Sequence, residues 1–183
     1  RVFLRAALRH EPTSIDALTT LLELESLADD DAAIGPLLDS LVQADPTNEV
    51  AFARWLEKGP AGSQSRETLQ NWLSGIADSS RPVWQRALAK VRLADLAIER
   101  LDMDAARQLA QQAVELCPSC PEPRQMQLSL LPANAAPAER LVAILALLRS
   151  DPVAVEAAWQ GAFLLDQFGF WADAQMLYDH AFR

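Results

Sequence analysis

Glu115-Leu116-Cys117-Pro118 and Arg149-Ser150-Asp151-Pro152 each close an amphipathic stretch with a proline, and the two prolines stand 34 residues apart. The same punctuation recurs at Arg9-His10-Glu11-Pro12, Gln43-Ala44-Asp45-Pro46 and Ser80-Arg81-Pro82, so the successive gaps are 34, 36, 36 and 34 residues. Proline ends a helix because it lacks an amide hydrogen and its ring clashes with the preceding turn. A period near 34 with a helix-ending residue in each unit marks a helical repeat array, in which each unit packs mainly on its neighbours.

The bulk properties agree. Half of the 183 residues are hydrophobic and only 6 are glycine, while Ala, Leu, Glu, Gln and Arg dominate. These are strong helix formers, and runs of β-branched residues are few, so the class is all-α. The net charge of −9, from 25 acidic and 16 basic side chains, disfavours a nucleic-acid partner, which needs a clustered basic face. It suits a neutral or basic protein segment. The longest apolar run, Leu141 to Leu148, is too short to cross a membrane. The chain begins at Arg1 inside an amphipathic stretch, so it is expected to be a piece of a longer protein whose anchor, if any, lies outside it. The compartment stays open, with the cytoplasmic face of an inner membrane favoured over the periplasm.

Apolar spacing sets the helices. Residues 1–11 form the first, with Val2, Leu4, Ala7 and Leu8 on one stripe, read as the second helix of a truncated unit (1–12). Thr13 or Ser14 caps a helix running to Ala28. Asp29 to Asp31 supply a turn and a cap for Ala32 to Ala44, with Pro36 in or near its first turn. Thr47-Asn48-Glu49 opens a helix carrying Phe52 and Trp55, which the Gly59–Ser63 loop breaks. Ser65-Arg66-Glu67 opens its partner. Pro82 takes the first position of a long helix to Leu101, and Asp104 caps Ala105 to Cys117. Pro118 to Pro123 is read as loop, followed by Arg124 to Leu131, Ala138 to Ser150, Val153 to Phe168 and Trp171 to Phe182, with Gly169 at the last turn. The expected units are 13–46, 47–82, 83–118, 119–152 and 153–183.

Counting back twelve, eight and five residues from each closing proline gives an inward triplet: Ala106, Ala110, Ala113 before Pro118; Ile34, Leu38, Leu41 before Pro46; and Arg140, Ile144, Leu147 before Pro152. One further period gives Ala174, Tyr178 and Ala181. With Gly169 at the turn and Ala162 in the first helix, this pattern resembles the tetratricopeptide repeat, a 34-residue antiparallel helix pair. Arg140 departs from it, standing where alanine is usual. The resemblance implies an α-solenoid, a right-handed superhelix of stacked helix pairs whose first helices line a concave groove. Carried onto this chain, the groove holds Asp16, Thr19, Glu23, Ala53, Glu57, Val91, Asp95, Gln125, Glu156, Trp159, Phe163 and Asp166, an acidic surface with an aromatic end. It also implies a non-enzymatic scaffold for another protein, peptide or folded subunit, in a bacterial assembly such as polysaccharide secretion, exopolysaccharide biosynthesis or envelope biogenesis. Thr19 and Glu23 replace the lysine and asparagine with which chaperone adaptors of the family clamp a carboxylate terminus. Phe168, Phe170 and Trp171 cluster at the last turn and are expected to pack against a next repeat, since terminal repeats otherwise need a polar outer side; homo-oligomers through the terminal repeats are a separate expectation.

No catalytic, cofactor or metal set emerges. Cys117-Pro118-Ser119-Cys120 can form a local disulfide, half a zinc site or a redox thiol pair. Zinc would need two more ligands, and the two histidines, His10 and His180, lie at opposite ends of the array. The simplest alternative makes Cys117 an interior residue and Cys120 a loop residue. Asp29 to Asp31 lack the glycine and distal glutamate of a calcium loop. The competing function is therefore a redox or metal-linked domain built on this CxxC. For the five tryptophans, core packing is the ordinary role; Trp159 and Phe163 are the exception, sharing the expected groove face.

Overall fold

The computed structural model describes residues 1–28, 31–59 and 66–182. Among them are eleven α-helices and no strand: α1 (Val2–His10), α2 (Ile15–Ser26), α3 (Asp31–Ala44), α4 (Glu49–Lys58), α5 (Arg66–Ala77), α6 (Val83–Glu99), α7 (Met103–Leu116), α8 (Pro121–Ser129), α9 (Pro137–Ser150), α10 (Val155–Gln167) and α11 (Trp171–Ala181). The all-α expectation and the helix order hold. The turn at Asp29–Asp30 and the loop and cap expected across residues 60–65 lie outside the described residues. No helix is long and apolar enough to cross a membrane among the described residues.

The chain divides into two compact units, Arg1–Gly75 and Ile76–Arg183. In the first, α1 packs on α2, α2 on α3 and α3 on α4. Its core is built from large side chains: Leu18, Leu21 and Leu22 of α2 and Ile34, Leu38 and Leu41 of α3 are all buried. Phe52 and Trp55 of α4 continue it, and Trp72 of α5 meets Trp55 edge-on with ring centroids 4.5 Å apart. The Trp55 indole N–H donates to the Asp39 carboxylate, which satisfies the one polar atom that burial would otherwise strand.

In the second unit α6 packs on α7 and α10 on α11, with α8 and α9 between. Here the seams are made of small residues. Ala94, Ala97, Ala106 and Ala110 gather around Leu130, and Ala158, Gly161, Ala162 and Ala174 are buried in the last pair. A Cβ on Gly161 would come within 3.0 Å of Ile144 and 3.2 Å of Leu177, so this glycine marks a close three-helix approach. Arg140, the departure from the small-residue pattern, reaches outward and donates to the Pro132 carbonyl at 3.1 Å.

Several local expectations need correction. Asp102, two residues before Asp104, caps α7 by accepting from the Ala105 amide. Pro82 is itself the N-cap residue of α6 rather than its first helical residue. Pro36 lies inside α3, beyond the first turn. The segment read as loop at Pro118–Pro123 already contains the start of α8: Pro121 stands at the first helical position, where the missing amide hydrogen leaves no bond unmade. In α1 no residue is fully buried, and Leu4 and Leu8 face inward while Val2 and Ala7 are exposed. Cys117 and Cys120 form a disulfide, so Cys120 is a bridge partner and not a simple loop residue.

Candidate functional site

The expected groove residues fall in both units. In the first unit Asp16 and Glu23 of α2 are exposed and Thr19 between them is half-buried; Ala53 and Glu57 on α4 are exposed. Their spacing of three and four residues keeps each set on one helix face. The inward stripe of α2 runs Leu18, Leu21, Leu22 and then Glu25, whose carboxylate is fully buried. Arg5 donates to it at 2.8 Å and Arg1 approaches its other oxygen at 3.2 Å. Two guanidiniums on one carboxylate tie α1 to α2 and leave a net positive charge on α1. The helical spacing of an acid on an apolar stripe was the signal for this site, which the groove reading passed over.

In the second unit the first helices supply Val91 and Asp95 on α6, Gln125 on α8, and Glu156, Trp159, Phe163 and Asp166 on α10. Val91 is half-buried against the cluster of Ala87, Ala113 and Cys117, so its side chain belongs largely to the interior. Asp95 is half-buried and accepts from Arg92 at 3.3 Å. Burial pushes its carboxyl above the ordinary value of 3.8; the bond and charge of Arg92 pull it down, and Glu99 adds to the rise. Gln125 and Glu156 come together at the rim of a cavity of about 420 Å³, shared with Arg140, Asp151 and Gln160.

Trp159 turns toward the last helix. Its ring meets Tyr178 at 5.0 Å and Phe182 at 5.8 Å, both edge-on, yet the side chain stays exposed, as does Phe163 one turn on. Asp166 and Glu156 are also exposed, so α10 presents two carboxylates beside two aromatic rings. Such a face can hold a basic or aromatic chain by charge and ring stacking. Among the described residues no group of three or more His, Cys, Asp or Glu side chains is placed to hold a metal ion.

Solved structures with the same arrangement of helix pairs decide the architecture. Over 96% of this chain and 78% of the other, it is similar to PilF of Pseudomonas aeruginosa, with a TM-score of 0.62 and 15% identity. The fold is that of a tetratricopeptide solenoid. MamA matches over 88% of this chain and 92% of its own, with a TM-score of 0.53 and 12% identity. YrrB, described as a TPR protein with an unusual peptide-binding site, covers 97% of this chain and 90% of its own, with a TM-score of 0.47 and 14% identity. No family model matches the chain, and no curated protein does.

Proposed function

We propose that this tetratricopeptide-like chain is a non-enzymatic docking scaffold that takes a basic or aromatic segment of another protein on the first-helix faces of its hairpins. The observation that carries it is the exposed combination of Glu156, Trp159, Phe163 and Asp166 on α10. A stacked-hairpin fold spends its apolar side chains on neighbouring helices, so aromatic rings left at the surface beside carboxylates are available for recognition. Asp16, Thr19, Glu23 and Glu57 offer a matching acidic face in the first unit, while Asp95 and Gln125 extend the face of the second. A bacterial multiprotein assembly, such as polysaccharide secretion or envelope biogenesis, is the setting this reading favours. Affinity capture followed by titration calorimetry tests it: Trp159→Ala and Asp95→Lys, or Glu23→Lys for the first unit, should each weaken partner binding at least about tenfold. Partner binding indifferent to all three would remove the first-helix surface.

A second reading rests on the Cys117–Cys120 disulfide, which joins the C-cap of α7 to the N-cap of α8. Cys120 stands at the N-cap of α8, a setting in which reactive cysteine pairs are found. Thiol titration across a range of glutathione potentials separates the readings. A bridge that opens and closes with partner binding unchanged would be a structural staple, whereas binding that follows the redox state would favour the redox domain.

A further inference from the structure

The start of α8, in the middle of the second unit, is held by a covalent bond. Asn48 caps α4 and Asp102 caps α7, each with a side-chain oxygen that accepts a backbone amide. Cys120, the N-cap residue of α8, makes no such bond. It is joined instead to Cys117, the C-cap residue of α7, with 5.4 Å between their Cα atoms. The bridge ties together the two ends of the Cys117–Cys120 turn, and Pro121 fixes φ at the first helical position. Together they prepare the first turn of a helix, which is the costly step in forming one.

That end of α8 has little else to hold it. The helix spans nine residues and buries Pro123 alone, whereas α6 buries seven residues and α10 five. Its later half is anchored by apolar packing: Met126 rests on the cluster of Ala94, Ala97, Ala106 and Ala110, and Leu128 on the cluster of Ile144 and Leu147. Its first half has Pro123, the bridge, and a hydrogen bond from Arg124 Nε to the Pro118 carbonyl at 3.2 Å, an acceptor that belongs to the bridged turn itself. The two sulfurs also differ. Cys117 is 9% exposed beside Ala87 and Ala113, where a free thiol would stay as a small apolar side chain. Cys120 is half-buried at the rim of that cluster, so its sulfur is the one a thiol in solution can reach.

We infer that the Cys117–Cys120 bridge is a redox latch on α8: closed, it holds the first turn of the helix in place; opened, it releases that turn while α6, α7 and α10 stay folded. The reductant is a dithiol. One of its thiolates attacks the Cys120 sulfur, the bond to Cys117 breaks, and Cys117 takes up a proton. The second sulfur of the reductant then displaces Cys120, which also ends as a thiol. Two electrons and two protons thus reach the protein, and the reductant becomes a disulfide. Gln125 follows the first turn of α8, so release changes how this residue is presented. A latch differs from a redox domain in that it acts on its own helix and turns over no substrate.

Amide hydrogen exchange followed by NMR tests the inference on the oxidised chain, the chain reduced with dithiothreitol, and Cys120→Ala. The chain has two cysteines, so reduction acts at this bridge alone. No partner is needed, so failure of the latch and failure of the docking surface are told apart. Reduction should speed exchange at the amides of residues 124–126, which bond back to the first turn, at least about tenfold. Exchange in α6, α7 and α10 should stay unchanged. Cys120→Ala, which can neither bridge nor cap, should show the fast rate with or without dithiothreitol. Four outcomes overturn the inference: exchange in α8 indifferent to reduction; exchange in α6 and α10 rising as much as in α8, which would make the bridge a brace for the whole unit; a Cys120→Ala chain as protected as the oxidised one; or two free thiols on titration of the chain after oxidation.

Discussion

Trp55 and Trp159 both lie in the first helix of a pair, but nine residues after Pro46 and seven after Pro152, so they fall on different faces of their helices. Their surroundings differ. Trp55 is buried between Phe52 and Trp72 with its N–H bonded to Asp39, whereas Trp159 has aromatic neighbours on α11 and an open side. The helix seams differ in the same sense. Those of the first unit interlock leucines and isoleucine; those of the second bring helices together over alanine and glycine. The two units thus use two packing solutions, and a first-helix tryptophan is buried in one and exposed in the other.

The largest expected effect tests that contrast directly. Trp55→Ala should cost about 3–5 kcal/mol, because it removes a large buried ring and leaves a cavity with a stranded Asp39. Trp159→Ala should cost less than about half as much, since much of its ring already faces water. Chemical denaturation of both variants checks the pair; equal losses would erase the distinction between core and surface.

Next come two substitutions of opposite sense. Leu38→Ala in the first unit should destabilise by about 2–5 kcal/mol through a cavity. Ala106→Leu in the second should destabilise by about 1–3 kcal/mol through overpacking against Ala94 and Ala110. If Ala106→Leu were neutral in thermal denaturation, the small-residue seam would not be a close contact.

A finer comparison lies in the turns. α6 and α10 end alike: the Asp102 amide bonds back to Ala97 and the Phe170 amide to Leu165, the closing bond of a Schellman turn. The left-handed residue is Leu101 at φ 61° in one and Gly169 at φ 80° in the other, two periods of 34 apart. Only glycine adopts this conformation without a Cβ clash. Leu101→Gly should therefore stabilise by about 1 kcal/mol, and Gly169→Ala should destabilise by about 1 kcal/mol. Paired thermal melts with opposite shifts would support the shared turn geometry.

These contrasts mark how far the sequence could be read. The proline period and apolar spacing located the helices and most of the small-residue seams, because both are properties of short windows. Gly169 was legible as a turn, but Leu101 was not, since nothing local announces a leucine in a left-handed conformation. Prolines 121 and 123 read as loop because the same residue starts and stops helices. The groove list placed Trp159 on the first-helix face, yet its stacking on Tyr178 and Phe182 depends on how α10 and α11 pair. Glu25 was legible as an acid on the apolar stripe of α2, but its arginines were not, since ion pairs 20 or more residues apart leave no trace in spacing.

The smallest effect concerns Asp95, whose counterpart 23 residues before the closing proline in the first unit is the exposed Glu23. Burial raises the Asp95 carboxyl above 3.8 despite Arg92. Between that ordinary value and the higher folded one, the folded chain keeps a proton that the unfolded chain has released. Stability attributable to this group therefore falls as pH rises through the window and levels off above it. The wild-type thermal midpoint minus that of Asp95→Asn should therefore fall as pH rises through that range, with Glu23→Gln as the first-unit control. If that difference rose with pH instead, the Arg92 ion pair would outweigh the cost of burial, and position 95 would be stabilised by its charge.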